Sequence, residues 1–276
     1  MVESNAKARL SRGGQARQAG PVPTVLIISS HVAASPVGGG AQAAALARMG
    51  VETVLIPTVL YGRHPGLGPP GGGPVPQELF EGVIAGVESS GALTGLDAVI
   101  AGYFAAPEQV HAATRLIDRA RAAAPAVRVV VDPVMGDDER GLYVRDDVAE
   151  TIARELVPRA DLITPNAWEL ARLSGHAVSD GASTLAAARA ISREALVSSV
   201  PLGEDIGVLL AASDRAWLAS HRCEASAPKG TGDLLTASFV GHLVNGGSRR
   251  AALEVSVTEI AAGVAGHAVP IRVEAV

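Results

Sequence analysis

Lys229-Gly230-Thr231-Gly232-Asp233 runs straight into the apolar stretch Leu234-Leu235-Thr236-Ala237-Ser238-Phe239-Val240. Small residues at the start of a helix leave backbone N–H groups uncovered where the partial positive charge of the helix sits, which makes a cradle for an anion. Asp233 is the unusual member of this stretch. An acid beside a phosphate cradle is repulsive unless it has a task such as accepting a proton from an attacking hydroxyl. The combination suits phosphoryl transfer from a nucleotide to an alcohol. A plain helix start capped by an acidic residue is the competing reading.

Two further blocks carry the same kind of chemistry. Asp132-Pro133-Val134-Met135-Gly136-Asp137 follows the apolar run ending at Val131. An acid at a strand end can hold a magnesium ion that keeps several of its waters. Thr164-Pro165-Asn166-Ala167-Trp168-Glu169 follows the run ending at Ile163. Asn166 and Glu169 are three apart and can share a helix face, where an amide and a carboxylate could orient metal-bound water. The same pair can also be a capping box, with Asn166 as cap and Glu169 as its reciprocal partner.

The surrounding elements have to bring these blocks together. Thr24–Ser29, Thr53–Val59, Ala98–Ala101, Val127–Val131, Asp161–Ile163, Ala195–Val200, Ile206–Ala211 and Arg215–Ala219 read as strands. Helices are expected over Ala41–Met49, Gln77–Ser89, Pro107–Ala123 and Asp147–Leu156, and from Ala167, Ser183, Asp233 and Arg250. The Gly- and Pro-dense stretch Tyr61–Pro76 reads as loop. Such alternation predicts an α/β fold of three layers, α/β/α, with a mostly parallel central sheet. In such sheets ligands bind beyond the carboxyl ends of the strands, where all three blocks fall.

Composition narrows the class further. At 276 residues and 48% apolar content, one large α/β domain over residues 24–276 is the simplest organisation, with two small domains as the alternative. A net charge of −5 argues against a nucleic-acid partner. No apolar run reaches the ~20 residues needed to cross a bilayer. The polar segment Met1–Pro23 is expected to be a disordered tail rather than a secretory signal. One cysteine, Cys223, excludes an internal disulfide and fits the cytoplasm. Only two lysines occur, Lys7 and Lys229, so a lysine directly before the glycine turn stands out.

Taken in order, Ser30-His31-Val32, Ala101-Gly102-Tyr103, Asp132 to Asp137, Gly141-Leu142-Tyr143-Val144, Thr164 to Glu169 and Gly230 to Asp233 resemble the bacterial pyridoxal kinases of the ribokinase-like superfamily. The resemblance extends from about Thr24 to about Gly246. It implies ATP-dependent phosphorylation of the 5′-hydroxyl of pyridoxal in vitamin B6 salvage. It also implies Asp233 as base and Gly230, Thr231 and Gly232 as anion hole. Asp132, Asn166 and Glu169 would lie about magnesium, and Tyr143, Thr164 and Ser198 near ATP. Ser30 would bind the pyridine ring, with His64 in the flap over it. Potassium is a candidate second cation, and a homodimer is the implied assembly.

The substrate side departs from the family. Ala33-Ala34-Ser35-Pro36-Val37-Gly38-Gly39-Gly40 lacks the expected Tyr and Asn, and the flap Gly62-Arg63-His64-Pro65-Gly66-Leu67-Gly68-Pro69-Pro70 keeps only the His. Two alternatives therefore stand beside pyridoxal kinase. One is a hydroxymethylpyrimidine kinase of thiamin salvage, faintly echoed by Gly38-Gly39-Gly40-Ala41. The other is a catalytically weak homologue that binds a vitamer or nucleotide.

Overall fold

Along β1 (Thr24–Val32) the side chains alternate between two apolar layers. Leu26 and Ile28 enter one core, and Val25 and Ile27 the other. A strand buried on both faces needs helices on both faces, and the chain supplies them. The computed structural model of the protein describes residues 21–223 and 227–276, so the expected disordered tail lies almost wholly outside the described residues.

After β1 come α1 (Gly38–Arg48), β2 (Glu52–Tyr61), β3 (Gly72–Pro74), α2 (Gln77–Ser89), β4 (Ala98–Ala101) and α3 (Pro107–Ala123). Next are β5 (Arg128–Val131), β6 (Gly136–Asp137), β7 (Gly141–Leu142), α4 (Asp146–Thr151), β8 (Leu162–Ile163), α5 (Ala167–Ser174) and α6 (Gly181–Ile191). The chain closes with β9 (Ala195–Leu202), β10 (Asp205–Ala211), β11 (Ala216–Arg222), α7 (Thr231–Val244), α8 (Arg249–Ala265) and β12 (Arg272–Ala275).

Ten strands form one sheet in the order β12-β11-β10-β9-β8-β5-β4-β1-β2-β3. The six strands from β9 to β2 are mutually parallel, and the flanking strands on both sides pair antiparallel. Phe80 of α2, Leu116 of α3, Val148 of α4, Leu170 of α5 and Ala187 of α6 pack on one face. Leu46 of α1, Phe239 of α7 and Leu253 of α8 pack on the other. This is the three-layer α/β/α arrangement expected.

The chain steps from β1 outward to β2 and then returns to place β4 on the other side of β1. That reversal opens a crevice at the carboxyl ends of β1 and β4, the usual ligand position in such sheets. On the helical side, α1 and α7 lie close. A Cβ at Gly241 would stand 2.6 Å from Met49 Sδ and 3.1 Å from Leu46 Cδ2. Glycine at 241 thus sets the approach that brings the two helix N-termini together.

Several boundaries differ from expectation. α2, α3 and β4 occupy the predicted residues. α1 starts at Gly38 rather than Ala41, so the glycine run is the helix's first turn and not the turn before it. The predicted helix Asp147–Leu156 is α-helical only to Thr151 and widens into a π turn over Ile152–Leu156, just ahead of Pro158, which has no N–H to continue the ladder. The stretch read wholly as loop contains the end of β2, a 3₁₀ turn at Pro65–Leu67 and β3, which pairs antiparallel with β2. β3, the β6–β7 hairpin and β12 were not legible, because strands of two to four residues carry too little alternation to register.

Candidate active site

Asp233 is the third residue of α7, and its Oδ2 accepts the N–H of Gly38, the first residue of α1, at 2.8 Å. The carboxylate thus sits at two helix N-termini, its own and that of α1. Burial pushes its pKa up to about 6, and the Gly38 bond pulls in the opposite direction. Gly230, which precedes α7, has φ 95°, and a side chain there would collide with the Pro36 carbonyl. Gly232 faces open space. Among the described residues, the N–H groups of Thr231, Gly232 and Asp233 have no acceptor. Both helix starts therefore depend on glycine, and the cradle between them is open.

Asp132 follows β5 and is 7% exposed. Thr236, one turn along α7 from Asp233, donates from Oγ1 to Asp132 Oδ2 at 3.1 Å and lies 2.9 Å from Thr164 Oγ1. Burial raises the Asp132 pKa, and the charges of Asp233 and Glu169 raise it further, while the Thr236 hydroxyl opposes them. Asp132 Oδ1 has no donor among the described residues. An acid destabilised by two other acids, with an oxygen to spare, fits a divalent cation that keeps most of its water.

Asn166 and Glu169 form the capping box. Asn166 Oδ1 accepts from Glu169 N at 2.8 Å, and Glu169 Oε2 accepts from Asn166 N at 3.0 Å. Glu169 does more than cap. Its Oε1 also accepts the N–H groups of Met135, at 2.7 Å, and Gly136, at 3.3 Å, while Asn166 Nδ2 donates to Gly136 O at 2.8 Å. The pair thus ties the loop after Asp132 to the start of α5. Burial pushes the Glu169 pKa up to about 7 against these three backbone bonds. Val134 in the same loop has φ 42°, a strained value for a β-branched residue.

Tyr143 is half-exposed, yet its phenol is held well above its ordinary pKa by desolvation and then by Glu169, Asp132, Asp137 and Asp233. All four acids therefore lie within electrostatic reach of one ring. Lys229 Nζ stands 3.6 Å from Asp137 Oδ2 and 3.4 Å from Glu139 Oε2 on the β6–β7 hairpin. Among the described residues, no group of three or more His, Cys, Asp or Glu side chains is arranged to hold a metal ion. Ser198 lies inside β9, within the predicted strand Ala195–Val200. Its N–H bonds Pro165 O at 3.0 Å, and it bridges Asn166.

Ser30 is buried at the end of β1, and its hydroxyl occupies the space that a side chain on Gly38 would need. Ser30 and Asp233 thus meet across Gly38. His64 caps the flap's 3₁₀ turn, with Nδ1 accepting from Gly66 N at 3.0 Å and its own N–H bonding Ser35 Oγ at 3.1 Å. Burial, then Arg140 and Lys229, lower its pKa. The flap has an internal brace: Arg63 Nε donates to Pro69 O at 2.9 Å, and Gly62 and Arg63 donate to Pro70 O.

Thr58 and Gln109 of this wall were missed, and Tyr103 was named only within the matching segment Ala101-Gly102-Tyr103. Thr58 Oγ1 bonds Tyr103 O at 2.7 Å, and Tyr103 N bonds Ser29 Oγ at 3.2 Å. Gln109, 2% exposed, joins Thr58 O, Val75 O and Ala105 N with its amide. Burial, then the nearby Tyr61, push the Tyr103 pKa up to about 12. A polar Gln on the inner face of α3 was the available signal for this wall.

Comparison with known proteins identifies the family of the chain. The family described as phosphomethylpyrimidine kinase matches residues 75–272. A pyridoxine/pyridoxal/pyridoxamine kinase of Bordetella avium is 38% identical over 241 residues, 84% of this chain and 81% of its own. The fold resembles that of a pyridoxal kinase from Entamoeba histolytica, with a TM-score of 0.84 at 23% identity over 89% of this chain and 90% of that one. A pyridoxal kinase from Leishmania donovani in complex with ADP gives a TM-score of 0.81 at 26% identity, covering 86% of this chain and 85% of that one. With such relatives along most of its length, and with the acid, glycine and threonine positions gathered at one end of the sheet, the chain belongs to the pyridoxal kinase branch of the phosphomethylpyrimidine kinase family.

Proposed function

We propose that this chain transfers the γ-phosphoryl group of ATP to the 5′-hydroxyl of pyridoxal, forming pyridoxal 5′-phosphate and ADP, with Asp233 as the base. The observation that carries the reading is the Asp233 carboxylate, held between two helix N-termini with a pKa of about 6, beside N–H groups that have no acceptor among the described residues. A primary alcohol is too weak an acid to be ionised beforehand, so its proton leaves as the new P–O bond forms. Asp233 accepts that proton. The N–H groups of Gly230, Thr231 and Gly232 meet the negative charge of the phosphoryl group in transit.

Asp132 is the direct candidate for holding magnesium, with Asn166 and Glu169 fixing the loop behind it. Magnesium, when bound, supplies positive charge against the phosphate oxygens and against the three acids. Thr164 and Tyr143 border the phosphate side and Ser198 the nucleotide side. Ser30 binds the pyridine ring, and His64 positions the flap over it. The same reading takes residues 24–276 as one kinase domain that works as a cytoplasmic homodimer, with potassium as a candidate second cation. No helix among the described residues is long and apolar enough to cross a membrane.

The family description and the altered flap keep hydroxymethylpyrimidine as the second candidate substrate. Coupled ADP production with magnesium-ATP, run on pyridoxal, pyridoxine, pyridoxamine and hydroxymethylpyrimidine with Asp233→Ala as control, tests the proposal. Turnover on pyridoxal that disappears in the variant is the expected result. Turnover on hydroxymethylpyrimidine alone would replace the substrate, and none on any alcohol with ATP still bound would leave a binding protein.

A further inference from the structure

The tip of the β6–β7 hairpin carries charge in two directions. Asp137 and Glu139 face Lys229, beside the glycine turn. Arg140 reaches the other way, to the flap. Its backbone is fixed, since Arg140 N donates to Asp137 Oδ1 at 2.9 Å. Its Nη1 and Nη2 both stand 2.9 Å from where a Cβ on Gly66 would be, so the guanidinium lies over the glycine of the flap's 3₁₀ turn. A side chain at position 66 would displace it.

Arg140 differs in its surroundings from the ion-paired arginines among the described residues. Arg115, Arg119, Arg121, Arg128, Arg145, Arg159, Arg172, Arg222 and Arg249 each hold a carboxylate. Among the described residues, the Arg140 guanidinium has neither a carboxylate within salt-bridge range nor a hydrogen-bond acceptor. It also lies close enough to His64, together with Lys229, for both cations to depress the imidazole pKa. Arg140, Lys229 and His64 thus meet at the junction of the flap, the hairpin and the turn before α7, with Asp137 and Glu139 of the hairpin engaged by Lys229 and not by Arg140. The Arg140 guanidinium is left with its donors unfilled over the flap. A guanidinium has five donors in a planar fork, the shape that receives phosphate oxygens.

Resting on the kinase reading above, we propose that Arg140 is a phosphate-binding residue of this site. It donates to the γ-phosphoryl group of ATP and to the same group once it is on the product, and in doing so it ties the hairpin to the flap over the reacting alcohol. The hairpin root is bound by Glu169 through Met135 and Gly136, and its tip lies on the flap. One short element therefore spans the nucleotide and alcohol sides, and the arginine is at the end that meets the alcohol.

The test compares Arg140→Ala and Arg140→Lys with the unaltered protein in three measurements. These are steady-state kinetics, calorimetric binding of ADP and of a non-hydrolysable ATP analogue with magnesium, and NMR titration of His64. Arg140 is exposed, so the variants should keep the parent melting temperature. In Arg140→Ala, kcat/KM should fall roughly 10- to 100-fold, as loss of a charge-assisted hydrogen bond predicts. Binding of the ATP analogue should weaken while ADP binding is nearly unchanged, and the His64 pKa should rise. Arg140→Lys should recover part of the loss.

Equal effects on ADP and the analogue, or a change in the KM for pyridoxal alone, would overturn the proposal and leave Arg140 as a flap contact. If the unaltered protein phosphorylates none of the alcohols, the kinase reading fails instead, and the comparison of ADP with the analogue still decides the role of Arg140.

Discussion

The N–H of Gly38 donates to the Asp233 carboxylate at 2.8 Å across 195 positions of sequence. This bond joins the first turn of α1 to the first turn of α7. It places the carboxylate in the partial positive charge of two helix starts, which partly offsets the cost of burying it. The outcome is a carboxylate with a pKa of about 6, more basic than an ordinary aspartate yet ionised at neutral pH. A general base works best near that range.

Asp233→Asn removes the proton acceptor and keeps the shape. Turnover should fall roughly 10²–10⁴-fold, while ATP affinity changes much less. Steady-state kinetics with nucleotide calorimetry would check this, and a variant with near-parent turnover would sink the assignment of Asp233.

The acid side of the pH profile should report the same group. Asp233 must be ionised to accept a proton, so kcat/KM should climb with pH through an apparent pKa near the value of about 6. Asp132 faces it with like charge, so the limb belongs to the pair. A flat profile between pH 5 and pH 8, with pH 5 taken as about one unit below that pKa, would contradict the assignment.

Stability of the free protein should move the other way. Asp233 and Glu169 titrate at about 6 and about 7 when folded, against ordinary values of 3.8 and 4.5. Over that window the folded state binds more protons than the unfolded one. The contribution of these groups is therefore complete below about pH 4 and is lost as pH rises through 6 and 7. Magnesium-nucleotide should reduce this loss by bringing a cation to the acids. Melting temperatures across the window, with and without magnesium-ATP analogue, would measure both effects.

Gly38→Ala places a methyl group against the Ser30 hydroxyl at a backbone φ of 65°. The strain should lower stability by about 1–3 kcal/mol. It should also displace the N–H that holds Asp233, lowering activity beyond what stability explains. Gly50→Ala is a control with positive φ and open space around it. It should cost stability without an effect on turnover when assayed well below its melting temperature.

Glu169→Ala leaves the N–H groups of Met135, Gly136 and Asn166 without their acceptor. Stability should fall by roughly 1–3 kcal/mol in the absence of any ligand. Denaturant unfolding without nucleotide would measure it. An unchanged midpoint would mean that the capping box contributes little and that Glu169 matters only once ligands bind.

The local features were legible because their causes are local. The run Thr24–Ser29 is apolar and β-branched enough to be a buried strand, and Pro107 opens a helix at the position where proline is tolerated. Asp132 and Glu169 stood out by residue type and by position after apolar runs, and Asp233 by its place between a glycine turn and an apolar helix start. Tertiary structure decided which of these groups meet. It set β4 beside β1 rather than beyond β2, packed α1 on α7 through Gly241, and so delivered Gly38 to Asp233. It also gave Glu169 its second task on the Met135–Gly136 loop and laid Arg140 over Gly66. The physical reason is range. Periodicity and capping act over a few residues of chain, whereas a hydrogen bond between two helix starts depends on strand order and helix packing far apart in sequence.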